Sequence, residues 1–200
     1  MISSASLGIL TVRNISMLIA GAALAYFAGA ATAADQLLPA ELAKPGRVLI
    51  LRHAIAPGTG DPDNFRIGDC ATQRNLDNAG RAQAAQLGRQ LVQAGVARAK
   101  VYSSQWCRCL ETARLLDLGP VTALPALNSF FERADQRDEK IADLREFLAG
   151  LPADGPPVVL VTHQVTVTGL TGVYPGSGTG VILQLNGTGQ PQIVGKFSAN

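Results

Sequence analysis

The sequence has 200 residues, of which 47% are hydrophobic and 16% are charged, and its formal net charge is +2. These values describe a globular chain with about one domain and exclude a disordered one. The charge is small and no lysine or arginine cluster interleaves with aromatic residues, so we expect no nucleic-acid partner.

The N-terminal 33 residues differ in composition from the rest of the chain. Arg13 is their only charged residue, residues 15–30 are apolar, and Ala31 to Ala33 supply small residues before Ala34. This pattern predicts a cleaved secretory signal peptide. A membrane anchor is the alternative, but the apolar run is shorter than the roughly 20 residues that a spanning helix needs.

The signal peptide sets the expected organisation and location of the protein. We expect a signal peptide over residues 1–33, a short lead-in over residues 34–46 and a single domain over residues 47–200. No stable membrane span would remain after cleavage, and the protein would be periplasmic or secreted.

Cys70, Cys107 and Cys109 would then meet an oxidising compartment, where one disulfide and one free thiol are expected. Cys107 and Cys109 are two residues apart on a predicted helix and point in different directions, so Cys70 should pair with one of them. A metal site is the alternative, but a Cys-x-Cys pair and a lone cysteine without a nearby histidine lack zinc spacing.

A run of apolar residues from Val48 to Leu51 predicts a first strand that is covered on both faces. Arg52 and His53 follow at its carboxyl end, where open α/β sheets place their ligand crevices. The next segment, residues 56–62, is rich in glycine and proline and predicts a polar loop at the rim of such a crevice.

The remaining pattern alternates strands with helices. A helix is expected from about residue 78 to Gln93, and another from near Gln105, capped by Ser103 or Ser104. The first strand extends over residues 47–51, and further strands are predicted over residues 100–103, 121–124 and 158–162. An amphipathic helix is predicted over residues 137–148. Residues 180–185 and 190–197 are predicted to form a closing hairpin.

The strand ends collect polar residues that suit a dianion. Arg52 and Arg108 can bind phosphoryl oxygens, because a planar guanidinium group donates several hydrogen bonds at once. His53 or His163 could attack phosphorus if it were held neutral, while the other histidine stabilises the transferring group. Glu132 could protonate the leaving oxygen.

Three segments carry a resemblance to a known family: Leu51-Arg-His-Ala54, the stretch from Tyr102 to Ala113, and Val161-Thr-His-Gln164. They resemble the signature segments of the histidine phosphatase superfamily, which is related to phosphoglycerate mutases. The resemblance spans Arg47 to about Leu185. It implies an α/β fold, a three-layer α/β/α sandwich around a mostly parallel central sheet.

The resemblance also assigns roles to residues. It implies that His53 becomes phosphorylated, that Arg52 and Arg108 bind phosphate, and that His163 is a further phosphate ligand. Glu132 matches the family's acid, and Glu111 competes for that role, although Glu111 lies one helical turn from Arg108 and could simply orient it.

Two departures from the family pattern bear on function. Gln164 stands where the branch that resembles phytases has an aspartate, which favours the smaller branch. Ala54 replaces the family's usual glycine after the first histidine, and its Cβ could crowd the phosphate or require a changed backbone angle.

The sequence therefore predicts an exported phosphatase that hydrolyses a phosphate monoester through a phosphohistidine on His53. Its substrate would be a small phosphomonoester or a phosphorylated envelope component, with specificity set by the loop from Pro57 to Cys70. We expect no metal and no cofactor, since the arginines and His163 supply the positive charge. A catalytically silent phosphate-binding or envelope-interaction protein is the alternative that Ala54 motivates.

Overall fold

The structure is a computed structural model that describes residue 1 and residues 40–198 of the chain. Its centre is a six-stranded sheet with the strand order β3-β2-β4-β1-β5-β6. The strands are β1 (Arg47–Arg52), β2 (Lys100–Ser103), β3 (Val121–Ala123), β4 (Val158–Thr162), β5 (Gly180–Gln184) and β6 (Gln192–Phe197).

Helices cover both faces of this sheet. Two apolar clusters separate the layers, because successive residues of a buried strand point to opposite faces. Leu49 and Leu51 pack in one cluster and Val48 and Ile50 in the other. The helices are α1 (Asn78–Gln93) and α2 (Cys107–Leu115), which pack on the first cluster, and α3 (Arg137–Ala149) and α4 (Gln164–Thr171), which pack on the second.

The sheet is mostly parallel, as the sequence predicts. Strands β1, β2, β3 and β4 pair in parallel, and β5 and β6 complete the sheet as an antiparallel hairpin beside β1. The three-layer α/β/α sandwich is thereby confirmed.

Local signals in the sequence correctly predict where most of the helices and strands begin and end. The Asp77 side chain accepts a hydrogen bond from the backbone N–H of Gly80 at 2.7 Å and so caps α1. Gly95, at φ 94°, follows the end of the same helix, as its position in the sequence suggests.

Two expectations about helices are wrong. Helix α2 begins at Cys107 instead of near Gln105, and its first backbone N–H, that of Cys107, donates to Oε1 of the distant Gln73 at 2.8 Å. Neither Ser103 nor Ser104 is the N-cap, which is Trp106, although the Ser104 hydroxyl accepts a hydrogen bond from the Trp106 backbone N–H at 3.3 Å. Helix α4 was not predicted, since its eight residues follow directly on a buried strand and carry no charge to mark a polar face.

The predicted signal peptide falls on residues that the structure does not describe, apart from Met1, so it stays a prediction. The first part of the lead-in, residues 34–39, lies outside the described residues as well. Within residues 40–198, each helix is too short or too polar to cross a bilayer.

The strand order decides where the candidate site forms. Strands β1 and β4 are neighbours, and Arg52 lies opposite Thr162 in their parallel register. His53 and His163, the residues that follow, are therefore brought side by side at one edge of the sheet. This edge is the carboxyl end of the parallel strands, where α/β folds bind ligands.

Candidate active site

A cavity of about 430 Å³ opens at the carboxyl edge of the parallel strands. Every residue predicted for the site lines it, together with further residues from the loop after β1 and from the segment after α4 that were not predicted. The predicted residues are Arg52, His53, Arg108, Glu132 and His163, and the additional ones include Asp61, Phe65, Arg74 and Tyr174.

His53 lies at the base of this cavity with 2% of its surface exposed. Its Nδ1 is 2.7 Å from the backbone oxygen of Ala54. A carbonyl oxygen only accepts, so Nδ1 carries the proton and Nε2 keeps its lone pair. Burial, together with the charges of Arg108, Arg52 and Arg74, lowers the pKa of His53 to about 3, and the ring is neutral at ordinary pH.

His163 lies beside His53, with 5.7 Å between the ring centroids and an angle of 71° between the planes. Its Nε2 shares a hydrogen bond of 2.8 Å with the Ser104 hydroxyl and lies 3.5 Å from the Cys109 sulfur. Burial and the nearby charge of Arg108 hold the pKa of His163 well below its usual value. Both rings therefore face the cavity in the neutral form.

Arg52 is partly buried at the end of β1. Its Nη1 donates to the backbone oxygen of Pro175 at 3.2 Å, and its Nε is buried without a partner among the described residues. Its guanidinium thus keeps donors for a ligand in the cavity that it lines.

Arg108 is almost fully buried, and its main partner is Asp61, a residue that the sequence analysis did not single out. Nη1 donates to one carboxylate oxygen of Asp61 at 2.7 Å and Nη2 to the other at 3.1 Å. Burial by itself would raise the pKa of Asp61, but hydrogen bonds from Arg108, Trp106 and the Arg74 backbone lower it below its ordinary value. Asp61 is therefore ionised and is no source of protons near neutral pH.

Arg74 is a third arginine that lines the cavity and that sequence reasoning missed. Its Nε donates to the Gly60 backbone oxygen at 2.8 Å, and its Nη1 donates to the Ala56 backbone oxygen. These two hydrogen bonds hold the loop after β1 against the cavity. The glycine- and proline-rich segment signals a loop, but no local signal shows which charged residues the loop turns inward.

The two candidate acids differ clearly in position. Glu132 is exposed at the mouth of the cavity, close to Gly60 of the loop. Glu111 does not line the cavity, and it pairs with Arg81 of α1 at 2.6 Å. The expectation that Glu111 competes as the acid or orients Arg108 is therefore wrong, because the neighbouring helix α1 supplies a closer partner.

Ala54 needs no changed backbone angle, and its side chain does not line the cavity. Its φ is not positive, so the backbone needs no glycine there. The side chain is fully buried against Ala56, Leu76 and Ala84, and its N–H donates to the Thr112 hydroxyl at 3.1 Å. The methyl group thus packs in a small apolar cluster.

A disulfide joins the loop to α2 beside the site. It connects Cys70 to Cys107, which resolves the pairing that the sequence left open, and Cys109 is a free, buried thiol. Burial raises the pKa of Cys109 to about 12. Among the described residues, no three His, Cys, Asp or Glu side chains come together in a way that could hold a metal ion.

Comparisons with known proteins bear on the family and on the fold. Residues 48–143 match the model of the histidine phosphatase superfamily, branch 1. No curated protein sequence matches the chain.

Several solved structures share the fold. The protein histidine phosphatase SixA in complex with tungstate aligns with a TM-score of 0.56 and 19% identity, covering 76% of this chain and 96% of its own. A protein assigned as the phosphohistidine phosphatase SixA of Agrobacterium tumefaciens gives 0.53 and 17%, covering 78% and 99%. A mycobacterial hydrolase gives 0.55 and 17%, covering 75% and 96%.

The sheet order defines a phosphoglycerate mutase-like α/β fold, in which two histidines lie side by side at the carboxyl edge of the parallel strands. The family match runs from β1 to the first half of α3, and over this stretch the chain is similar to branch 1 of the histidine phosphatase superfamily. Family and fold support a phosphatase activity.

Proposed function

We propose that the protein hydrolyses a phosphate monoester through a phosphohistidine on His53. The observation that carries this proposal is the hydrogen bond from Nδ1 of His53 to the Ala54 carbonyl at 2.7 Å. It fixes the tautomer in which Nε2 holds a lone pair, and a neutral imidazole with a free lone pair is a nucleophile.

The first step transfers the phosphoryl group to the protein. Nε2 of His53 attacks phosphorus, the bond from phosphorus to the ester oxygen breaks, and Glu132 gives its proton to the departing oxygen. Arg52, Arg108 and His163 donate hydrogen bonds to the phosphoryl oxygens, where negative charge must be held in the transition state.

The second step restores the site. Glu132, now a carboxylate, takes a proton from water as the water oxygen attacks phosphorus and the P–N bond to His53 breaks. Inorganic phosphate leaves, and His53 and Glu132 return to their starting protonation states. Glu132 suits both steps because its exposed carboxyl lies at the mouth of the cavity, where water and leaving groups exchange.

His163 fits the role of a phosphate ligand through its second nitrogen. The Ser104 hydroxyl has one proton and two possible acceptors, Nε2 of His163 at 2.8 Å and Oδ1 of Asn128 at 3.3 Å. The shorter contact favours donation to Nε2, which places the proton of the neutral ring on Nδ1. This N–H is then the donor that His163 contributes to a phosphoryl oxygen.

We further propose that the protein is exported and acts in the periplasm or outside the cell, on a small phosphomonoester or a phosphorylated envelope component. The composition of residues 1–33 supports export. The disulfide between Cys70 and Cys107 agrees with an oxidising compartment. No metal or cofactor has a part in the steps above.

A rapid-quench labelling experiment tests the mechanism. The purified chain is mixed with an aryl phosphate that carries ³²P and is quenched in base, where a phosphoramidate bond survives. We expect base-stable, acid-labile label on the protein, and none on a His53→Gln variant.

The second histidine supplies the matched control, because the chain contains two histidines in all. A His163→Gln variant should still become labelled, but more slowly. Label retained on His53→Gln would rule out the proposed nucleophile. Tungstate binding without label or turnover in the wild type would favour the silent phosphate-binding protein instead.

A further inference from the structure

Asp61 is unusually buried and unusually well hydrogen-bonded for a residue in a loop. Its side chain is only 9% exposed, and its carboxylate accepts four hydrogen bonds. Two come from Arg108, one from Nε1 of Trp106 at 3.0 Å and one from the backbone N–H of Arg74 at 3.0 Å. A carboxylate with this many donors is fixed in place, and the partner that it fixes most directly is Arg108.

The hydrogen bonds of Arg108 leave one particular edge of its guanidinium unoccupied. Of the five N–H bonds of an arginine, Nη1 uses both of its own, one to Asp61 and one to the Arg74 backbone oxygen at 3.3 Å. Nη2 uses one, also to Asp61. The N–H of Nε and the second N–H of Nη2 remain, and these two bonds lie parallel on the same edge.

The Nε of Arg108 is buried and has no partner among the described residues. A buried donor without a partner is costly, and a ligand in the cavity that Arg108 lines would satisfy it. Two parallel N–H bonds on one guanidinium edge match two oxygens of a phosphoryl group in a bidentate pair.

Arg52 shows the same pattern on the other strand end. Its Nη1 is held by the Pro175 carbonyl, and its Nε is likewise buried and unpartnered. Both arginines that line the cavity at these positions therefore keep the Nε edge for a ligand.

We propose that Asp61 is a positioning residue for phosphate capture: it holds Arg108 by its two terminal nitrogens, so that the Nε and Nη2 edge receives the phosphoryl oxygens. The inference rests on the proposed function, since it assumes that the cavity binds a phosphoryl group. Its predicted effect on anion binding is also opposite to the effect that the charge of Asp61 alone would have. A carboxylate near an anion site should weaken anion binding, whereas a positioning residue strengthens it.

Anion affinity is the measurement that separates these two effects. Tungstate and inorganic phosphate are titrated by calorimetry into the full chain and into Asp61→Asn. In the variant an amide NH₂ would face a guanidinium N–H, so the fork is lost, and we expect affinity to fall by about tenfold or more. The control is Asp63→Asn, which removes an exposed carboxylate of the same loop and should leave affinity unchanged.

A second variant separates the position of the Asp61 carboxylate from its charge. Asp61→Glu keeps the charge but moves the carboxylate by one methylene, so positioning predicts weaker anion binding and charge alone predicts no change. Circular dichroism and thermal unfolding establish that each protein used is folded. Affinity that is unchanged or higher in Asp61→Asn would overturn the inference.

A double-mutant cycle shows whether Asp61 acts through Arg108. In an Arg108→Gln background, adding Asp61→Asn should change tungstate affinity by less than about twofold. A full tenfold loss in that background would mean that Asp61 acts by another route. If the wild type binds neither anion, the proposed function fails, and the variants are then not needed to decide it.

Discussion

Glu132 and Glu111 are the two carboxylates considered for the acid, and the structure gives them different surroundings. Glu132 lines the mouth of the cavity, while Glu111 is paired with Arg81. An acid is needed most when the leaving group is a poor one, because an alkoxide departs far less readily than a nitrophenolate.

We therefore expect Glu132→Gln to slow the hydrolysis of an alkyl phosphate by about 100-fold and to affect 4-nitrophenyl phosphate little. Steady-state and pre-steady-state rates with the two substrates measure the difference. Glu111→Gln is the matched control and should hydrolyse both substrates as the wild type does. An equal loss on both substrates in Glu132→Gln would argue against a role as the acid.

Helix α1 approaches the loop after β1 closely because it carries glycine where the two meet. A Cβ on Gly80 would lie 1.9 Å from the backbone oxygen of Ile55, two residues beyond His53. No side chain can be accommodated there unless the backbone moves. The position of the loop that frames the cavity thus depends on a residue with no side chain.

The expected result of Gly80→Ala is a loss of about 2 kcal/mol in the free energy of unfolding, since the clash is with backbone. Urea denaturation measures this loss, and anion binding should weaken with it. Gly150→Ala is the control: its Cβ would lie 3.6 Å from the nearest backbone oxygen, so stability should be unchanged or slightly higher. Equal effects of the two substitutions would contradict the assigned contact.

The disulfide between Cys70 and Cys107 ties the same loop to the first residue of α2. It closes a loop with a sequence separation of 37. Chain entropy for a loop of this length gives a stabilisation of about 3 to 4 kcal/mol, mainly by restricting the unfolded chain.

A variant with both cysteines changed to serine should lose about that much unfolding free energy. Chemical denaturation of this variant and of the wild type with and without a dithiol reductant measures the effect. Addition of the reductant to the double variant serves as the control and should change nothing. Equal stability of the variant and the oxidised wild type would show that the bridge does not stabilise the fold.

At the scale of the whole molecule, the two neutral buried histidines link folding to pH. The pKa of His53 is lowered to about 3 and that of His163 is also well below its usual value. Below about pH 6.5 the unfolded chain gains a proton at each histidine that the folded chain does not. Stability is therefore complete above this pH and falls as the pH drops towards the folded pKa values.

We expect the free energy of unfolding to fall by about 1.4 kcal/mol per pH unit for each histidine between pH 6 and pH 5. Urea midpoints at these two pH values measure the slope. His53→Gln should remove one histidine's share of it. A slope that is the same in the variant and the wild type would show that His53 is charged in the folded protein.

Much of the fold could be predicted because its signals are local. The apolar runs before Arg52 and His163 identify β1 and β4, and Asp77 marks the start of α1. The predicted site residues lie together because each follows a strand of one parallel sheet, with the exception of Glu111, for which spacing on a helix indicated the wrong partner.

The rest of the site depends on long-range contacts that carry no periodic signal. Asp61 reaches Arg108 across 47 residues, and Arg74 turns inward through bonds to the Gly60 and Ala56 carbonyls. An irregular loop has no repeat from which inward and outward positions can be read. The fit of Ala54 likewise depends on Leu76 and Ala84 of the apolar cluster around it, which only the folded chain brings together.

The burial of Cys109 has a consequence for how the folded state can be observed. Its thiol lies in the core beneath His163, and with a pKa raised to about 12 it has almost no thiolate at neutral pH. An alkylating reagent can reach it only when the core opens, while the disulfide leaves no other thiol to react. The chain thus carries a single built-in reporter, and its rate of modification by iodoacetamide should follow the opening of the native core, measured without any label or engineered residue.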